Sequence, residues 1–84
     1  GASDKNYLAG NTIIGSSNTD VPSAKLQVTS TSQGFLPPRM TGAQVEAIAS
    51  PAEGLMVYAT SAGSGAVTSK GWWGYDGATW VKLN

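Results

Sequence analysis

Four aromatic side chains near the end of the chain, Trp72, Trp73, Tyr75 and Trp80, have the types and spacing that suggest binding chemistry. Aromatic rings stack on the apolar C–H face of a sugar, and Asp76 or Asn84 would then hydrogen-bond its hydroxyls. The competing reading is packing, in which the same rings serve as cross-strand pairs and as contacts between chains. Packing is the expectation here. Trp72 and Trp73 are neighbours, so a strand points them to opposite faces, one toward a core and the other toward solvent or an interface.

Other candidates are weaker. Glu46 and Glu53 are a conceivable glycosidase pair, which needs two carboxyls about 5–9 Å apart with one held protonated. Glu46 is expected on the water-facing side of a short helix and Glu53 in a turn, so no shared cleft is expected. Arg39 follows Pro37 and Pro38, as in a polyproline ligand for an SH3-like partner. The plainer reading is a fixed strut whose guanidinium bonds a neighbouring carbonyl or carboxylate, within the chain or across subunits. Gly63-Ser64-Gly65 lacks the lysine and the strand–loop–helix setting of a phosphate cradle and reads as a flexible loop. Asp4, Asp20 and Asp76 do not have calcium-loop spacing.

Composition narrows the function further. The 84 residues include no histidine and no cysteine, which removes the usual general base and the thiolate ligands and disulfides. No enzymatic activity, metal or cofactor is expected. Five basic and five acidic side chains cancel, and without a Lys/Arg run no nucleic acid is expected as a partner. No apolar run approaches the roughly 20 residues of a membrane span, and no basic run followed by an apolar stretch suggests a signal peptide. Gly1-Ala2-Ser3 has the form of a tag-cleavage remnant, so a longer parent protein is expected. Charged residues make up 12% of the chain, about half of the usual share. Gly, Ser, Thr and Ala dominate outside the few large apolar residues. A small chain with so thin a core and no staples commonly depends on partner chains.

The positioning elements follow from the punctuation. Residues 1–22 are polar and extended, with an apolar pulse at Thr12-Ile13-Ile14, a loop at Ser16 to Asp20 and a close at Pro22. Ala24 to Thr29 alternates, so Ala24, Leu26 and Val28 share one face of a half-buried strand. Pro37 and Pro38 force an extended strut or sheet edge, because neither can donate to a ladder. Thr41 and Gln44 have capping-box spacing, with Met40 and Val45 as a hydrophobic staple. The helix presents Val45, Ile48 and Ala49 on one stripe and stops at Ser50 before Pro51. Leu55 to Thr60 is apolar on both faces, so a neighbouring subunit is expected to cover the second face. Ser61 to Ser69 is a small-residue loop. Asp76-Gly77 signals a hairpin: a two-residue loop would set Trp73 opposite Trp80, whereas a four-residue loop would set Tyr75 there.

From about Ser23 onward the order of parts resembles a module of bacteriophage tail fibres, also found in repetitive bacterial surface proteins. The residues that carry the resemblance are "KLQVTSTSQGFLPPRM" (Lys25 to Met40), the helix start with "AIASPAEGL" (Thr41 to Leu55), Val57-Tyr58, and "YDGATWV" (Tyr75 to Val81). The chain departs from the common pattern at Val45, usually polar or basic, at Gly42, usually threonine, and in the longer Trp-rich stretch from Ser61 to Gly74. The resemblance implies a mainly β fold with one short helix, an intertwined homotrimeric fibre domain ending in a β-hairpin. Residues 1–22 would be a shaft connection and 23–84 the fibre domain. Leu26, Val28, Phe35, Ile48, Leu55, Val57 and the tryptophans would form the shared core, with Pro37, Pro38, Arg39, Thr41 and Gln44 fixing how each chain enters it. The expected setting is the virion, or alternatively a bacterial cell surface. Expected partners are other copies of itself, other fibre or virion proteins, and in the receptor-binding alternative a host surface glycan.

Overall fold

A computed structural model describes residues 5–15 and 20–84. The opening Gly1-Ala2-Ser3, Asp4 and most of the expected loop at 16–20 lie outside the described residues. The chain divides into two compact units, Gly1–Phe35 and Leu36–Asn84. Within the first unit, strands from either side of Pro22 hydrogen-bond to each other.

In the first unit, β1 (Thr12–Ile14) pairs in parallel with β2 (Leu26–Val28), Thr12 beside Leu26 and Ile14 beside Val28. The Thr12 N–H donates to the Lys25 carbonyl at 2.8 Å, and the Thr29 N–H to the Ile14 carbonyl at 2.8 Å. A turn precedes β2: the Ala24 N–H donates to the Val21 carbonyl, and the Val21 N–H to Gln27 Oε1 at 3.0 Å. The expected strand at Ala24 to Thr29 thus exists in shortened form, but its faces differ from the expectation. Leu26 and Val28 are exposed in the single chain and Gln27 is half-buried, because no second layer among the described residues of the unit covers them.

The second unit is a four-stranded sheet in the order β3 (Arg39–Met40), β4 (Met56–Ala59), β5 (Gly71–Tyr75), β6 (Trp80–Lys82). β3 and β4 are parallel and are linked through α1 (Gly42–Glu46); the other pairs are antiparallel. The prolines put β3 at the edge, as their missing N–H groups require. The Pro38 and Met40 carbonyls flanking Arg39 accept the Tyr58 and Thr60 N–H groups at 2.9 and 2.7 Å. Arg39 is exposed while Pro37 is buried, so the strut packs through its first proline.

The capping box forms as the sequence predicts: Thr41 Oγ1 accepts the Gln44 N–H at 3.2 Å, and Gln44 Oε1 accepts the Thr41 N–H at 2.9 Å. The helix is shorter than expected, ending at Glu46 with Ala47 as its C-cap. Ala49 is therefore exposed beyond it and does not extend the apolar stripe. Val45 is fully buried and joins Val57, Ala59, Val67, Trp73 and Trp80 in the core, with Met40, Ile48, Leu55 and Tyr75 packed against it. Each fully buried valine contributes about 1.5–3 kcal/mol. Gly42 is buried where the helix meets the 61–63 backbone, and a Cβ there would overlap Ser61, Ala62 and Gly63. Glycine at this position is thus what lets the helix dock so closely.

Candidate functional site

The sheet of the second unit has two unlike faces. Register sets Val57 beside Trp73 and Tyr75 beside Trp80, and alternation adds Ala59, so this face carries the core. α1 and the loop at 60–70 lie over it. Val67, expected in a small-residue loop, is fully buried. A lone valine among small residues gives no periodic signal.

The loop is held by Glu46, which is half-buried rather than turned to water. Its Oε1 accepts the Ser64 N–H at 3.1 Å, and its Oε2 accepts the Gly65 and Val67 N–H groups, each at 2.9 Å. These donors, Val67 foremost and then Gly65, hold the carboxyl below its ordinary value against a smaller opposing effect of desolvation. A Cβ at Gly63 would overlap the same carboxylate. The Gly63-Ser64-Gly65 stretch is therefore a clamped anion-binding turn whose anion is the protein's own side chain. These amides favour the ionised form of Glu46, and Glu53 lies beside Gly77 in the neighbouring turn region.

The aromatic residues do not share one exposed surface. Trp73 and Trp80 are 3% and 8% exposed, and the Trp73 Nε1–H donates to the Ser69 carbonyl at 2.9 Å. Tyr75 meets Trp80 edge-to-face at 5.2 Å, which fixes the hairpin as the four-residue-loop register. Asp76 sets that loop: Oδ1 accepts the Ala78 and Thr79 N–H groups, both at 2.8 Å. Those amides, Thr79 first, lower the Asp76 pKa. Trp72 alone of the four points the other way, half-buried edge-to-face on Tyr58 at 4.9 Å. Asn84 Oδ1 accepts the Trp72 N–H. The two polar residues suggested as sugar partners thus have oxygens bonded to the backbone.

The opposite face of the sheet carries Met56, Tyr58, Trp72, Gly74 and Val81, with Leu83 continuing its period. Met56, Val81 and Leu83 are 51%, 42% and 50% exposed, and a shallow apolar depression runs between them beside Gly54 and Asp76. Among the described residues no strand or helix of the second unit covers this face. The second apolar face expected of the Leu55 to Thr60 strand is therefore present and open.

Exposed apolar surface in both units points to association, and the family comparison agrees. The model of a family described as the phage tail like trimerisation region matches residues 13–84, spanning strands of both units. The chain belongs to that family. No curated protein and no solved structure matches the chain. Within this trimerisation region, Val57 and the two buried tryptophans serve the core of the single chain, with Ile48 and Leu55 packed against it. Leu26, Val28 and Phe35 do not: they are 55%, 43% and 68% exposed. No described side chains cluster as metal ligands, and no described helix is long and apolar enough to cross a membrane.

Proposed function

We propose that the chain is a structural segment of a phage fibre, in which three copies pool apolar surfaces and so link or present host-attachment parts. One observation carries this reading. No described residue of the first unit is buried, yet Tyr7, Leu8, Ile14, Val21, Leu26, Val28 and Phe35 are all exposed. A parallel strand pair is ordinarily covered on both faces, and two strands alone are marginal in water. Family membership supports three copies as the source of the missing cover. The role is mechanical and non-enzymatic, in the virion, with other fibre or virion proteins as neighbours.

A glycan-binding tip is the alternative function of the aromatic residues. With Trp73 and Trp80 in the core and Trp72 half-buried against Tyr58, no observation favours it over assembly. Native mass spectrometry tests the main reading. A species at three times the 8.6 kDa chain mass is expected, and a monomer alone at micromolar concentration overturns it. Immunogold labelling of phage particles carrying the chain should decorate the tail or its fibres; labelling elsewhere overturns the placement.

A further inference from the structure

Three copies need a shared surface, and the second unit offers one whose chemistry suits self-contact. Side chains near a threefold axis meet their own counterparts, so a charge placed there would face like charges. The open face of the β4–β5–β6 sheet avoids this. Met56, Tyr58, Trp72, Val81 and Leu83 are uncharged and adjoin one another by register. The charged residues of these strands and their turns lie on the other face or at the margin. Lys82 is opposite Trp73 on the covered face and donates to Ser69 Oγ at 2.7 Å. Asp76 borders the depression from the hairpin loop, Glu53 lies in the turn before β4 beside Gly77, and Arg39 lies on the edge strand. A charge-depleted centre of aromatic and Met residues with charge at the margin is the anatomy of a protein interface.

We infer that the open face of the β4–β5–β6 sheet, carried by Met56, Tyr58, Trp72, Val81 and Leu83, is where two further copies of this chain pack. The inference rests on the trimeric reading above and adds the surface. Its anchor is Met56, on β4 beside Gly74 and half exposed in the single chain.

Methionine oxidation reads the surface without a mutation. The full chain is treated with hydrogen peroxide when concentrated and when diluted below its association range, with Met40 as the internal reference. Met56 should oxidise severalfold more slowly, relative to Met40, in the concentrated sample. Val81→Lys and Met56→Lys, which place like charges in the proposed contact, should shift the mass from trimer to monomer while the near-ultraviolet signature of the buried tryptophans is kept. If the wild-type chain is monomeric throughout, the trimeric reading itself fails. If it is trimeric but Met56 oxidises equally in both samples, the trimer stands and this face is overturned as its contact, whether it is left free or is used by a saccharide or an unrelated protein. If the lysine variants fail to fold, Met56 protection in the wild-type chain decides alone.

Discussion

From Leu36 to Asn84, six apolar residues are buried around a four-stranded sheet, a capped helix and a carboxylate-clamped loop. From Lys5 to Phe35, no described residue is buried, and large apolar side chains stand exposed by 43% at Val28 up to 80% at Tyr7. Both units hold strands by backbone hydrogen bonds, so the difference lies in what covers them. The second unit contains its own covering layer over one face. The described residues of the first supply no such layer, and two three-residue strands give it little independent stability. In a trimerisation region the natural cover is another copy. Association and ordering of the first unit are then one event, while the second unit brings a partly formed core to it.

The largest expected effect is in that core. Trp73→Ala should cost about 3–5 kcal/mol, enough to unfold the second unit in a chemical denaturation series. A loss below about 1 kcal/mol would show that the two units are not so different after all. The next effect sharpens the contrast. Leu26→Ala with Val28→Ala alters side chains that are exposed in the single chain, where surface substitutions usually stay within about 0.5 kcal/mol. If neighbouring copies bury them, the pair should lower the melting temperature by the equivalent of about 2–5 kcal/mol per chain. An unchanged melt would place the first unit outside the assembly. Gly42→Ala comes third, at about 1–3 kcal/mol, because the added methyl must displace the 61–63 backbone. Its melt should fall without any change in oligomeric mass.

The smallest effect is a pH dependence confined to the second unit. Glu46 and Asp76 bind fewer protons when folded, since backbone N–H groups hold both carboxyls below their ordinary values of 4.5 and 3.8. Their stabilisation is complete above those values and is lost as pH falls through the lowered folded values. Glu46→Gln should flatten part of the acid limb and speed amide exchange at Ser64, Gly65 and Val67. Equal exchange in the variant and the parent chain would remove the clamp from the account.

Local signals made some of this legible in the sequence. Thr41 and Gln44 announce the capping box, Pro37 and Pro38 the edge position, and Asp76-Gly77 the hairpin, because each acts within a few residues of itself. The hairpin register required Asp76 to be recognised as an acceptor for the amides at Ala78 and Thr79. What was illegible depends on distant partners. Glu46 looks like a solvated helix residue until the loop about twenty residues on folds over it, and Val67 lacks any apolar pattern around it. The parallel pairing of Thr12–Ile14 with Leu26–Val28 joins segments on either side of Pro22. Among the aromatic residues, alternation foretold that Trp72 and Trp73 diverge but not which faces the core. That choice was set by Val57 and the helix.

The central claim is that one copy lacks the interior to hold its N-terminal unit and that three copies supply it. Thermal unfolding followed by circular dichroism over a dilution series, with the mass checked at each point by sedimentation equilibrium, tests it most directly. A melting temperature that rises with concentration, with a mass three times the 8.6 kDa chain before the transition, is the result predicted here. A single-chain mass with one sharp melt that does not move on dilution would contradict it.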